Sequence, residues 1–412
     1  MRSSEASSSL KISAARRSLP TDDGTGGQPP ASRPRRAGAL IVAALILLAA
    51  FVVAAPYLSA ALKQGASFLS GLTTVGLGTP TSTIGGSNNT SSSNGNDSTT
   101  TAAQCSSLVS VRNLAAPDIK NGTATIAYPQ DYCTLAAFAL GQINADRAAN
   151  GTGPVTLGYN QAAQQHADSM LYYGYFSHFD TQGYAPYMRY SLLGGRGGDF
   201  ENVAFFSYSV THYTSTNSVE DAIKTLEHSM VYDDVTCCNN GHRYNILNPL
   251  HDVVSIGVAY NSTHVYFDEE FENDYVNLNF QVTTASSTNP YYVTMTGTIE
   301  HPVTAPNSIY VSFDSTPTAE STAQLNAGPH EYGPGTLVGG VLPRNGILGD
   351  CAQFTQGTTV CADKWDFTSS SVDFAFSMAQ FIKDYGPGVY TIYLITGSST
   401  DSALTSISVF AP

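Results

Sequence analysis

Three stretches in the middle of the chain place apolar residues at helical spacing. The first carries Ala136, Leu140 and Ile143 ahead of Asn150-Gly151, the second Ala163, Ala167, Met170 and Leu171 ahead of Gly174, and the third Val219, Ala222, Ile223, Leu226 and Met230. A repeat near 3.6 residues turns one helix face toward a core. Thr134 is the expected N-cap of the first helix, and Ser218 with Asp221 forms a capping-box-like start for the third. The period then shortens to two. Residues 255–260 and 264–268 alternate around Asn261-Ser262-Thr263, which predicts a hairpin. Helices laid against a short antiparallel sheet make an α+β domain, expected over residues 105–284.

A linker-like run, Thr-Ala-Ser-Ser-Thr-Asn-Pro at 284–290, closes that region. Beyond it, residues 291–299, 308–313, 372–376 and 389–395 have strand patterns, the last following the turn Gly386-Pro387-Gly388. Several short strands in so few residues predict a small all-β, immunoglobulin-like sandwich over 285–412, with Trp365 in its core. No chemistry is legible in it, and a structural or spacing role is expected.

The N-terminal part reads differently. Residues 39–58 form an uncharged apolar run of the length needed to cross a bilayer, so one transmembrane helix is expected within 37–62. Arg33, Arg35 and Arg36 precede it and only Lys63 follows closely, which places residues 1–36 in the cytoplasm as a disordered tail and the rest outside. The long polar leader argues for an uncleaved signal-anchor over a cleaved signal peptide. Residues 63–104, rich in Ser, Thr, Gly and Asn, read as a flexible stalk. Asn88, Asn89, Asn96, Asn121, Asn150 and Asn261 open acceptor triplets for N-glycosylation, in keeping with an extracellular glycoprotein. The expected location is the cell membrane, crossed once.

Charge sharpens this division. The formal net charge is −14, yet residues 1–62 carry seven Lys or Arg against three acidic residues, so the exterior part is strongly acidic. Phosphate backbones would repel it, and nucleic acid is excluded as a partner. Divalent cations, or an acidic and salty exterior, suit it better.

All six cysteines follow the apolar run, as expected for disulfides in an oxidising compartment. Cys351 and Cys361 are close enough to close a local loop. Adjacent Cα atoms lie about 3.8 Å apart, below the usual disulfide span, so Cys237 and Cys238 are each expected to find a distant partner. By elimination Cys105 and Cys133 pair with Cys237 and Cys238, in either order.

Four segments gather residue types able to do chemistry. Tyr175-Phe-Ser-His-Phe-Asp-Thr-Gln-Gly183 precedes Arg189, Phe200-Glu-Asn-Val203 follows a Gly-rich turn, Glu227-His-Ser-Met230 lies late on the third helix, and Gly241-His-Arg-Tyr-Asn-Ile-Leu-Asn-Pro249 precedes the hairpin. Their order and spacing resemble the prokaryotic branch of the CAP superfamily, which includes cysteine-rich secretory, antigen 5 and pathogenesis-related (SCP-like) proteins. The resemblance covers about residues 134–273. It implies an α-β-α sandwich with a central cleft holding His178, Glu201 and His242. The family's second Glu position falls on Ser229, a departure that weakens any mechanism needing two carboxylates.

Two neutral imidazoles and a carboxylate can hold a divalent metal, zinc or calcium, with an open position, or can orient a water. Asp180, Arg189, Asn202 and Arg243 are expected to brace the cleft, and His166 to be a satisfied core residue. Three functions stay open: a surface module binding a cation, a small ligand or another envelope component; an extracellular peptidase-like hydrolase using Glu201 and a His; and a purely structural envelope protein. Gly-x-Ser-x-Gly and His-Glu-x-x-His motifs are absent from the sequence, which weighs against hydrolysis.

Overall fold

The computed structural model describes residues 9–14, 102, 104–106, 111–112, 128–129, 131–208, 216–284, 291–345, 349–396 and 402–411. The expected membrane span and almost all of the stalk lie outside these residues. Among the described residues no helix is long and apolar enough to cross a membrane.

Alternation organises the first domain. Strands β3 (Gly198–Ser207), β4 (Val253–Tyr260) and β5 (His264–Asn273) form the centre of a five-stranded sheet ordered β1-β3-β5-β4-β2, where β1 is Ser9–Ala14 and β2 is Thr156–Leu157. One face presents Phe200, Ala204, Val254, Ile256, Val258, Val265, Phe267 and Phe271 to helices α1 (Tyr132–Ala149) and α4 (Thr216–Tyr232). The other presents Val203, Ala259 and Tyr266 to α2 (Ala162–Tyr173). Helix α3 (Pro186–Leu192) packs beside α2 on that second side. The result is a three-layer α-β-α arrangement, as the resemblance implies.

Local signals place most boundaries well. Gly174 ends α2 in the left-handed conformation at φ 72°, which costs a glycine little. The hairpin between β4 and β5 turns on Asn261, whose side chain accepts from the backbone N–H groups of Thr263 and His264. Two expected caps are displaced. Helix α1 begins at Tyr132 rather than after Thr134, because Tyr132 is itself buried and its hydroxyl donates to the Ile256 carbonyl at 2.8 Å. Helix α4 starts at Thr216, ahead of Ser218.

Two further expectations are corrected. Ser9–Ala14, read as part of a disordered tail, pairs antiparallel with β3. Its Leu-Lys-Ile-Ser alternation suits an open sheet edge, whose unpaired backbone groups accept a further strand. Val276–Thr283, placed in the first domain by the linker at 284, pairs instead with Tyr292–Ile299. The second domain therefore takes in Val276–Thr283, ahead of the polar run.

Those two strands, β6 and β7, join β11 (Lys364–Phe367) and β12 (Ser371–Ser377) in a four-stranded sheet ordered β11-β12-β7-β6. A five-stranded sheet, ordered β10-β9-β8-β13-β14, is formed by β8 (Ile309–Asp314), β9 (Thr336–Leu342), β10 (Thr358–Cys361), β13 (Gly388–Leu394) and β14 (Ile407–Ala411). Val293, Met295, Phe374 and Phe376 of the first share one apolar core with Ile309, Val341, Ile392 and Leu394 of the second. Trp365 packs against this core only half-buried, its ring 4.7 Å from that of Phe374, because it sits on an edge strand.

The disulfides also differ. Cys351–Cys361 forms as expected, but Cys105 bonds Cys133 and Cys237 bonds its neighbour Cys238. Cys133 opens α1 and its Cα lies 5.5 Å from that of Cys105, an ordinary span. Cys237 and Cys238 lie on the surface helix α5 (Val235–Cys238), none of whose residues is buried, and they close on each other.

Candidate functional site

The site is built where β3 meets the loops after α2 and α4. Strand β3 carries Glu201 inward, fully buried. The loop after α2 brings His178, whose Nδ1 lies 2.6 Å from the Glu201 carboxylate. Helix α3 brings Arg189, which donates to the other Glu201 oxygen and, at 2.8 Å each, to the carbonyls of His178 and Tyr184. Asp180 fixes the intervening turn by accepting from the N–H groups of Gln182 and Tyr184. The turn closes at Gly183, with φ 79°.

His242 arrives from α6 (Gly241–Ile246), also fully buried, with Nδ1 2.5 Å from Asp234. It lies near enough to influence the charge of His178. Asn202, the next residue on β3, donates to Glu269 at 3.1 Å and reaches the His242 carbonyl at 3.4 Å, while Asn245 donates to Asn202. Arg243 donates to the Val231 carbonyl and the Asn150 side chain, tying α6 to α4 and α1. Asn202 and Arg243 thus hold the segment that carries His242.

Electrostatics separate the members. Burial pushes the Glu201 carboxyl up, but the Arg189 charge first, and then the neighbouring His166 and His178 rings, outweigh it and hold Glu201 at about 2. Burial lowers His178 despite its bond to Glu201, so the ring is neutral. His166 is lowered to about 3 by burial and by Arg189. It was expected in the core, and it is buried, with Nε2 2.8 Å from the Ser177 carbonyl and 4.0 Å from Glu201.

Ser229 is buried on α4, and so is Glu227 two positions earlier. The buried face of α4 is wide enough for both. Glu227 meets Glu269, which raises it, whereas the hydrogen bond from Glu227 lowers Glu269. Burial first, and then this neighbour, lifts Glu227 well above the usual carboxyl range, while burial lifts Glu269 to about 7. On the opposite sheet face Asp268 and Glu270 are also fully buried and raised, by burial first. Asp268, Glu269 and Glu270 were not among the site residues expected from the sequence.

Among the described residues, two groups of side chains bring ligand atoms within 4.8 Å of one another: Asp234, Cys237, Cys238 and His242, and His166, Glu201 and Asp268. Of the expected trio, His242 falls in the first cluster and Glu201 in the second, while His178 belongs to neither. The first loses its sulfurs as ligands while the Cys237–Cys238 bond stands. The second is poorly set for a metal, since His166 Nε2 must donate to Ser177 and Glu201 is already neutralised by Arg189. His178 Nε2 differs: it is buried without a partner.

A residue that the sequence offered no means of finding completes the site. Tyr332, from the connection between β8 and β9, accepts from the Glu201 backbone N–H at 2.7 Å and lays its ring 4.7 Å from that of His178. The open cleft expected from the sequence is thus a closed, buried site. No curated protein matches the chain. Residues 140–280 match the model of the cysteine-rich secretory protein family, and this segment, which holds His178, Glu201 and His242, is a CAP domain.

Proposed function

We propose that the chain is a membrane-anchored extracellular CAP-domain protein whose buried histidine site binds a divalent cation, zinc in preference to calcium. The observation that carries this reading is the setting of His178. A carboxylate holds its Nδ1 while its Nε2 is buried without a partner, an arrangement that orients an imidazole toward a metal. Asp234 holds Nδ1 of His242 in the same way. Nitrogen ligands favour zinc, whereas calcium takes oxygen.

Metal-free protein titrated with zinc in a calorimeter should bind one ion per chain, and His178→Ala and His242→Ala should each abolish binding with the helical circular dichroism unchanged. Undiminished zinc binding in both variants, or calcium binding without zinc binding, overturns the proposal. Hydrolysis with Glu201 as general base is disfavoured, because a carboxylate held at about 2 is a weak base at neutral pH.

Anchoring belongs to the same proposal and rests on the Arg-flanked apolar run at 39–58. Protease added to intact cells should release the part beyond residue 103. A span crossing once puts β1 and β3 on opposite sides of the bilayer, so β1 must leave β3 in the anchored chain. Ser9 and Ser207 face each other in the β1–β3 register. A disulfide formed in cells between Ser9→Cys and Ser207→Cys overturns the anchor.

A further inference from the structure

Residues 315–335 link two paired strands of the second domain, β8 and β9, yet they lie across the first domain. Most of the segment is exposed, and it is pegged by two buried side chains, Leu325 and Tyr332. Leu325, on helix α7 (Thr322–Ala327), inserts among Ala167, Met170, Tyr175 and Phe176. Tyr332 enters beside His178 and Tyr187.

Hydrogen bonds to the first domain accompany the pegs. The Glu320 N–H donates to the Thr181 carbonyl at 3.0 Å, the Phe176 N–H donates to the Asn326 side chain at 2.9 Å, and Asn326 donates to the Gly174 carbonyl at 3.2 Å. All three partners belong to the loop that presents His178. A mostly exposed segment with two buried side chains opens at lower cost than the strands on either side of it.

We propose that residues 315–335 are a hinged cover built by the second domain over the CAP site, with Tyr332 as the stopper that must withdraw before any ligand reaches His178. The second domain is then a regulator of access as well as a spacer. The cover concerns access alone and holds whichever ligand the site takes.

Diethyl pyrocarbonate, which acylates neutral imidazole nitrogen, tests it on the full chain with peptide mass spectrometry as the readout. His228 is exposed and serves as the internal standard. In the wild-type chain His178 should react at least tenfold more slowly than His228. Tyr332→Ala should bring the two rates within a factor of about three, and Tyr332→Phe, which removes the hydroxyl that accepts from the Glu201 N–H, should fall between. A lock, Thr181→Cys with Glu320→Cys in the oxidised state, should slow His178 at least fivefold relative to the Thr181→Cys single variant.

Wild-type reaction of His178 as fast as His228 overturns the cover. So does a His178 rate that neither Tyr332→Phe nor the lock changes, even if Tyr332→Ala fails to fold. Zinc plays no part in these measurements, so a gated His178 that binds no zinc would sink only the cation reading.

Discussion

The two domains bury different things. Beyond residue 290 the buried polar side chains among the described residues are hydroxyls: Ser312, Thr391, Thr405 and Ser406. The CAP domain buries Arg147, His166, His178, Arg189, Glu201, Glu227, His242, Asp268, Glu269, Glu270 and Glu272. Removing an ionisable group from water is expensive unless it is paired or neutralised, so a fold that does this repeatedly is organised around more than stability. The sandwich is held by apolar packing that many sequences could supply. The CAP sheet carries a charge arrangement that its packing must protect.

That contrast is broken or sharpened first at Arg189. Arg189→Met strands the buried Glu201 carboxylate and two carbonyls, and should cost about 3–5 kcal/mol in urea unfolding. Phe374→Ala in the sandwich core should cost a similar ~3–5 kcal/mol by a different route, lost packing. The two are told apart by a second change. Adding Glu201→Gln should recover part of the Arg189→Met loss, because neighbours sharing one charge balance are not additive. A loss under about 1 kcal/mol, or full additivity with Glu201→Gln, removes the distinction.

The pH dependence comes next in size. Burial is the leading cause that places Glu269 and Glu272 at about 7 and lifts Glu227, Asp268 and Glu270 well above the ordinary range. Each stays protonated in the folded chain where the unfolded chain has released its proton. The stability that Glu269 and Glu272 contribute is full below about pH 4 and is lost as pH rises through about 7, and Glu227, Asp268 and Glu270 act in the same direction. His166 and His178, depressed by burial, act oppositely: their unfolded forms take up protons below about pH 6.5, which favours unfolding. Five carboxyls outweigh two imidazoles. Tm is therefore expected to be higher at pH 5 than at pH 7.5, by about 5 °C for a net gain near 2 kcal/mol. A Tm that falls between pH 7.5 and 5 would show that the imidazoles prevail.

The smallest effect is expected at Trp365. It only half-covers the sandwich core, so Trp365→Ala should cost about 1–2 kcal/mol, below the usual ~3–5 kcal/mol for a fully buried aromatic. A loss as large as that of Phe374→Ala would mean that the edge strand is as central as the core.

Period and local chemistry determined a good deal from the sequence alone. The helical repeats of α1, α2 and α4, the Gly174 stop and the Asn261 turn were legible because each depends on residues a few positions apart. The motif segments around His178, Glu201 and His242 were legible for the same reason, each being locally specific. Residues that act across the fold were not. Glu227 and Glu269 lie 42 positions apart, and Tyr332 is one of 24 tyrosines and joins Glu201 from 131 positions away. The Cys105–Cys133 bond and the transfer of Val276–Thr283 to the second sheet likewise depended on which elements came to lie side by side. The sequence determined which segments could bear chemistry, because periodicity and short motifs report local structure. Tertiary structure alone decided that this chemistry is buried, surrounded by acids and covered by a segment of the next domain, because burial depends on what packs across the fold.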